Sequence, residues 1–230
     1  MISGAAAAAG ALARSGSPGV DPLMRAMTPA VPDIDLEKTR PEITLENGSD
    51  SDKAVAPAPP GSLDPALLKR ALAALDQHAG TIRLRDRIAI VDFSAPSSQA
   101  RFHFFDVASG ELSRLYVTHG MGSDPRHTGF LQRFSNDFGS NASSQGAFVT
   151  DDYYVGKHGR SQRLVGLDQT NNNALDRAIV IHGAWYANAD MVQTHGKLGR
   201  SQGCFAVGEA DLDKVFGHLG KGRLLYAART

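Results

Sequence analysis

The 230-residue sequence contains a single cysteine, Cys204. One cysteine excludes a disulfide within the chain and a zinc site built from several thiolates, so any sulfur chemistry depends on this thiol. Charge of one sign is not in excess either, because 24 Lys and Arg are matched by 24 Asp and Glu. Without a basic surplus, nucleic-acid binding has little electrostatic support, and we set that class aside.

Residues 1–60 lack aromatic side chains, and the first aromatic residue of the chain is Phe93. Eight of the 11 prolines lie in this segment. A segment of this composition cannot bury enough apolar surface to offset chain entropy, so we predict that it is disordered. Its Ala-rich start, residues 1–13, resembles a degraded export signal or a plain Ala-rich tail. We assign residues 61–230 to one folded domain.

Long hydrophobic runs are also missing. No stretch approaches the roughly 18 consecutive apolar residues of a spanning helix, so we expect no transmembrane segment. Asp64 and Pro65 predict a helix start, and Leu67, Leu68, Ala71, Leu72 and Leu75 would form its apolar face before Gly80 ends it. A second helix is predicted over residues 209–219.

Most of the remaining pattern is that of β-strands. Short apolar or alternating runs rich in Ile, Val, Phe and Tyr are separated by segments rich in Gly, Ser and Asn. The predicted strands are residues 88–93, 101–107, 112–119, 147–149, 153–155, 163–167, 178–182, 204–207 and 224–228. The fold class is therefore mainly β with a few flanking helices.

Cys204 ends the segment Gly199-Arg200-Ser201-Gln202-Gly203-Cys204. A buried structural cysteine needs no such neighbours. Gly203 permits close approach of another chain segment, and we expect the N–H groups of residues 203 and 204 to be free to face a developing oxyanion. Ser201 can shape the turn through a local hydrogen bond. The pattern favours a nucleophilic cysteine.

A thiol nucleophile needs a base, because only its thiolate attacks well. His182 ends an apolar run that predicts a rigid strand, and Gly183 leaves the approach to its ring open. His195 is the rival base, although its polar surroundings predict a loop. A zinc site formed by His182, His195 and Cys204 is a further alternative, but the sequence lacks His-Glu-x-x-His and a second cysteine.

These residues resemble the L,D-transpeptidases of bacterial cell walls with a YkuD-type catalytic domain. The family pattern is Ile-His-Gly followed by Ser-x-Gly-Cys, here Ile181-His182-Gly183 and Ser201-Gln202-Gly203-Cys204. The Gly-Arg-Ser-x-Gly-Cys form is similar to the murein L,D-transpeptidase subfamily, and the resemblance covers about residues 65–228. Further matching motifs are Val91-Asp92-Phe93-Ser94, His119-Gly120-x-Gly122-Ser123, Ser135-Asn136, Ser143-Ser144-x-Gly146 and Tyr154-x-Gly156-Lys157-His158-Gly159.

The resemblance implies a β-sandwich or barrel and an exported enzyme, periplasmic or otherwise in the cell envelope, that acts on peptidoglycan stem peptides. It implies that Cys204 is the nucleophile and that His182 is the general base and then the acid. The N–H groups of Gly203 and Cys204 are expected to stabilise the oxyanion, and Arg200 and Ser201 are expected to shape the loop or contact the acyl donor. Gly183 is expected to belong to the same substrate-binding and oxyanion site. The resemblance also implies that no metal is needed, and we expect no cofactor and a monomer.

The roles of several residues and the acceptor stay open at this level. Tyr154, Lys157 and His158 match a motif of unassigned role, and Lys157 and His158 could form a solvated turn. Trp185 and Tyr186 could line the cleft or cover the sheet. The same dyad would serve a cell-wall carboxypeptidase or endopeptidase that uses water as acceptor, and a non-catalytic wall-binding module would keep the fold without using the thiol.

Overall fold

The computed structural model of the protein describes residues 62–230. The prediction that residues 1–60 are disordered, and the suggestion of an export signal there, lie outside the described residues. Among the residues that are described, no helix has the length and apolar character needed to cross a membrane.

The first helix, α1 (Pro65–Gln77), begins where the sequence predicts. The Asp64 side chain accepts hydrogen bonds from the first-turn N–H groups of Ala66 and Leu67, which have no partner within the helix. The buried face is formed by Leu67, Ala71, Ala74 and Leu75. The predicted Leu68 and Leu72 are partly buried at its margin, and the helix ends three residues before Gly80.

Within residues 62–230, eight strands form one mixed sheet, which confirms the mainly β prediction. The order across the sheet is β3-β2-β1-β8-β4-β5-β6-β7. The strands are β1 (Arg87–Asp92), β2 (Phe102–Asp106), β3 (Leu112–Leu115), β4 (Gly146–Gly156), β5 (Gly159–Gly166), β6 (Val180–Gly183), β7 (Phe205–Val207) and β8 (Leu224–Ala228).

Four of the predicted strands differ from the structure by a merger or by more than two residues at one end, and one of them, predicted over residues 163–167, is β5, which begins at Gly159. Residues 147–149 and 153–155 belong to one strand, β4, whose register shifts between Thr150 and Tyr153. A bulge of this kind interrupts the alternation of side chains, so the pattern predicts two strands where one exists. The predicted strand 112–119 ends at Leu115, because residues 116–119 leave the β2 ladder.

The sheet is buried on both faces along β1. Ile88 and Ile90 face α1, whereas Ala89 and Val91 face the larger core cluster, which also contains the buried side of α3 (Leu212–Leu219). Side chains from β1 and β2 share this cluster with Ile181, Phe205 and Val207 from the opposite end of the sheet. The sheet therefore curves around one core, as in the barrel-like architecture that the resemblance implies.

Short elements complete the described chain. The predicted helix 209–219 is a 3₁₀ turn, Glu209–Asp211, that continues into α3. A helix that the sequence did not predict, α2 (Ala189–His195), follows the 3₁₀ turn Trp185–Ala187. A third 3₁₀ turn covers Met121–Ser123. The α2 segment has no buried residue and therefore no apolar periodicity that would mark it as a helix.

Candidate active site

The cysteine lies directly before β7, in a turn that its own neighbours hold together. Gly203 has a φ of 115°, a conformation that only glycine adopts readily. The Ser201 hydroxyl accepts a hydrogen bond from the Gly203 N–H at 3.1 Å and donates one to the Cys204 carbonyl at 2.7 Å. Ser201 thus closes the turn from both sides and fixes the backbone at the thiol.

This turn is anchored to a second segment of the chain, residues 119–125. The Ser201 N–H donates to the His119 carbonyl at 3.0 Å, and the Met121 N–H donates to the Ser201 carbonyl at 2.8 Å. The Arg200 guanidinium donates to the backbone carbonyls of Asp124 and Pro125. Both residues therefore shape the loop, which is one of the two roles that the resemblance implied for them.

Behind this anchor lies a buried polar chain that sequence analysis missed. The fully buried Arg101 donates to His119 Nδ1 at 2.8 Å, so the neutral ring carries its proton on Nε2 and donates to Asp124 Oδ2 at 3.3 Å. Burial lowers the pKa of Arg101 to about 9. Burial and the neighbouring Arg101 charge lower the pKa of His119 to about 3. The chain supports the segment on which the cysteine turn rests.

His182 lies in β6, which runs parallel to β7. Its Nδ1 lies 3.0 Å from the Gly183 carbonyl oxygen. A carbonyl only accepts, so Nδ1 carries the proton and Nε2 of the neutral ring keeps its lone pair. Burial is the main cause that lowers the pKa of His182, and the His158 and Lys157 charges lower it further. The hydrogen bond to the Gly183 carbonyl acts in the opposite direction and raises this pKa. Near neutral pH the ring is therefore in its basic form.

The pairing of β6 with β7 brings His182 and Cys204 to one cavity. His182 is paired with Ala206, while the alternate residues Ile181 and Phe205 point into the core. Cys204 lies two residues before Ala206, directly before the start of β7. Both side chains line one cavity of about 520 Å³.

The thiol is neutral in this arrangement. Burial raises the pKa of Cys204, although a backbone hydrogen bond from Val180 and the Lys157 and Arg177 charges lower it. The Sγ atom donates to the Ala178 carbonyl at 3.5 Å. The resting pair is thus a thiol and a neutral imidazole, which is a base that can take the thiol proton when the sulfur attacks.

The expectation that the Gly203 N–H is free to face an oxyanion is wrong. The Gly203 N–H is not free, because it donates to the Ser201 hydroxyl. Gly203 and Gly183 are also absent from the residues that line the cavity. What Gly183 provides is the carbonyl that orients His182. A direct role of either glycine toward substrate stays a prediction.

His195 is not brought to Cys204. It is the last residue of α2 and not part of a loop as predicted, and it is exposed and outside the cavity lining. Within residues 62–230 there is no cluster of three or more His, Cys, Asp or Glu side chains that could hold a metal ion. The zinc alternative therefore has no set of converging ligands in the described part of the chain.

The motif of unassigned role places three residues at the cavity. Lys157 and His158 form the two-residue turn between β4 and β5, and both line the cavity together with Tyr154. The His158 ring stacks on the His182 ring, with centroids 4.3 Å apart and an interplanar angle of 16°. The Lys157-His158 turn is exposed, as expected for a solvated turn, but its His158 side chain packs against the candidate base His182.

The structure gives different positions to Trp185 and Tyr186, which could either line the cleft or cover the sheet. Tyr186 lines the cavity, and burial is the main cause that raises its pKa to about 12. Trp185 is 65% exposed and is not part of the lining. The Tyr186 carbonyl also accepts from the Gly199 N–H at 2.7 Å, which ties this residue to the start of the cysteine segment.

Comparison with known proteins gives one family. The model of the L,D-transpeptidase catalytic domain matches residues 60–228. Among curated protein sequences, none matches the chain significantly.

Several solved structures resemble the chain at low identity. An L,D-transpeptidase from Mycobacterium smegmatis is 11% identical, with 62% of this chain and 58% of that one covered and a TM-score of 0.38. One from Xylanimonas cellulosilytica is 13% identical, with 77% and 100% covered and a TM-score of 0.38. The helical cell shape determining protein Pgp2 from Campylobacter jejuni is 11% identical, with 73% and 57% covered and a TM-score of 0.41. The chain spans under two thirds of the first and third of these proteins.

Proposed function

Since the chain belongs to the L,D-transpeptidase catalytic domain family, we propose that it is a cysteine acyltransferase that cross-links peptidoglycan stem peptides. The donor is a stem peptide that ends in D-alanine, and the acceptor is an amine of a second stem. We further propose that the protein acts outside the cytoplasmic membrane, in the periplasm or cell envelope, where its substrate is found.

The first half-reaction joins the donor to Cys204. His182 Nε2 takes the thiol proton as Sγ attacks the carbonyl carbon of the third stem residue, and an S–C bond forms. The C–N bond to D-alanine then breaks, and the same proton passes from His182 to the leaving amine. The Gly183 carbonyl holds the ring by Nδ1, so that Nε2 stays the atom that exchanges the proton.

The second half-reaction returns the enzyme to its resting state. The acceptor amine attacks the thioester, gives a proton to His182 and forms a new C–N bond as the S–C bond breaks. Sγ leaves as a thiolate and recovers the proton. Burial favours the neutral thiol and raises the Cys204 pKa, so proton return is favourable once the acyl group has left. Transfer to an amine requires that water be limited at the thioester.

One observation carries the proposal. Cys204 and His182 line the same cavity, and the hydrogen bond to Gly183 leaves the basic nitrogen of the ring available. The neutral resting pair supports proton transfer during the attack, because a preformed thiolate is not needed.

The test is acylation of the full-length protein by a D-alanine-terminated tetrapeptide, followed by intact mass. We expect an adduct on the wild-type protein and none on Cys204→Ala. His182→Ala should react about 10² to 10⁴ times more slowly, whereas His195→Ala should retain the wild-type rate and is the matched control. An adduct on Cys204→Ala, or equal losses for the two histidine variants, would overturn the assignment. Product analysis with an acceptor peptide then distinguishes a cross-linked product from the hydrolysed tripeptide that a carboxypeptidase makes.

A further inference from the structure

The charged side chains that line the cavity are mostly positive. Lys157, Arg177 and Arg200 line it, with Asp176 as the acidic side chain among the described lining residues. A cavity with this balance favours a substrate that carries negative charge close to the reacting atoms.

Two of these three cations are already engaged by the protein. The Arg177 guanidinium donates to four oxygen atoms of the segment 135–144. Arg200 donates to two backbone carbonyls of the segment 124–125. Lys157 differs, because its ammonium forms no hydrogen bond or ion pair with any residue in the 62–230 range that the structure describes. Of the three cations that line the cavity in the described part of the chain, Lys157 is therefore available to a ligand.

The turn holds Lys157 at the cavity. Gly156 and Gly159 are paired at the end of the β4 and β5 ladder, so the turn between them contains only Lys157 and His158. The stacking of His158 on His182 then fixes this turn against the candidate base. The Lys157 charge also lowers the pKa of both His182 and Cys204, as expected for an ammonium near the two groups.

The proposed donor has a negative group at the right place. In a peptide cleaved before its last residue, the terminal carboxylate lies three bonds from the carbonyl carbon under attack, within about 4 Å. A carboxylate so close to Cys204 opposes formation of a thiolate, and a cation beside it offsets this repulsion.

We propose that Lys157 binds the terminal carboxylate of the donor stem peptide and thereby selects peptides with a free C-terminus over internal or blocked peptide bonds. This inference rests on the proposed function for the identity of the donor. It assigns a specificity-determining role to the turn of the Tyr154-x-Gly156-Lys157-His158-Gly159 motif.

The experiment compares two synthetic donors, a tetrapeptide ending in D-alanine and the same peptide ending in D-alanine amide. Acylation rates are measured by intact mass on the full-length protein. The wild type should prefer the acid by about tenfold to a hundredfold, the range expected for a hydrogen bond between charged groups. Lys157→Met should react with the acid at the rate of the amide, and Lys157→Arg should keep the preference. The matched control is Lys214→Met, which removes an exposed charge from α3 and should behave as the wild type.

Binding of the same two peptides to Cys204→Ala protein, with and without Lys157→Met, separates this inference from the proposed function. Tighter binding of the acid that disappears with Lys157 supports the inference even if wild-type protein shows no acylation, a result that would reject the proposed function alone. Equal binding of acid and amide, or a preference that persists in Lys157→Met, overturns the inference whether or not Cys204 is acylated.

Discussion

Replacing Gly203 with alanine tests how far the backbone of the cysteine turn is constrained. At a φ of 115°, an added Cβ would lie 2.7 Å from the Ala142 carbonyl oxygen and 2.7 Å from Ile179 Cδ1. The carbonyl cannot move cheaply, because Arg177 Nη2 donates to it at 2.7 Å. The strain must therefore be relieved by movement of the turn itself.

The expected cost has two parts. Holding a non-glycine residue in this backbone conformation costs about 1 to 3 kcal/mol. Forcing an extra methyl group into a packed site costs about 1 to 3 kcal/mol more. Gly203→Ala should thus lower the free energy of unfolding by about 2 to 6 kcal/mol. Any movement that relieves the contact also displaces Cys204, and a shift of about 1 Å at a reacting atom costs about a hundredfold in rate.

Urea unfolding gives the stability, and acylation by the tetrapeptide donor gives the rate. Gly196→Ala is the matched control, since Gly196 has a φ of 69° at the end of α2 and its added Cβ would meet nothing within 4 Å. It should cost only about 1 to 2 kcal/mol and leave the acylation rate unchanged. If Gly203→Ala were no less stable than Gly196→Ala and reacted at the wild-type rate, the argument from close approach would be refuted.

Two further predictions concern protonation. His158→Ala should uncover His182 and raise the pKa of His182, because burial is the main cause that lowers it. The acidic limb of kcat/KM against pH should then move to higher pH, whereas His158→Phe, which keeps a stacked ring, should stay closer to wild type. An unchanged limb in His158→Ala would contradict this role. Burial also lowers the pKa of His103 to about 4, and burial together with the Arg101 charge lowers the pKa of His119 to about 3. Below about pH 6.5 the unfolded chain therefore binds protons at these histidines that the folded chain does not bind, and stability is lost as the pH falls toward the folded-state values. Between pH 7 and pH 5 each should cost about 2 kcal/mol in urea unfolding, and His103→Phe should reduce that loss by its own share; an equal loss in this variant would contradict the assignment.

Local sequence patterns correctly predicted the elements that depend only on residues close to one another in the sequence. The cap of α1 depends on Asp64 and the next three residues, and strand β8 follows from a run of apolar residues, so both agree with the structure. The pattern failed at the β4 bulge, where an irregular register breaks the alternation, and at α2, which buries no residue. Neither has a signal in local periodicity.

The candidate site shows the same division. The types and spacing of Cys204, Gly203 and His182 indicated a thiol and a base, whereas nothing in the sequence connected Arg101 or Asp124 to the cysteine turn. Arg101 reaches the turn through His119, and Asp124 reaches it both through His119 and through the Arg200 guanidinium, across contacts between distant parts of the chain. Such contacts depend on strand order and loop closure, which no local pattern specifies.

The sequence by itself determined that the protein has one cysteine thiol, a glycine beside it and a histidine at the end of an apolar run that predicts a strand, because these are properties of residue type and short-range alternation. Only the tertiary structure decided that β6 lies parallel to β7, that Gly183 leaves Nε2 of His182 as the basic atom, and that the turn carrying Lys157 and His158 closes over the site. The reason is physical: side-chain alternation follows from the geometry of one strand, but the partner of a strand is chosen by the burial of the whole sheet.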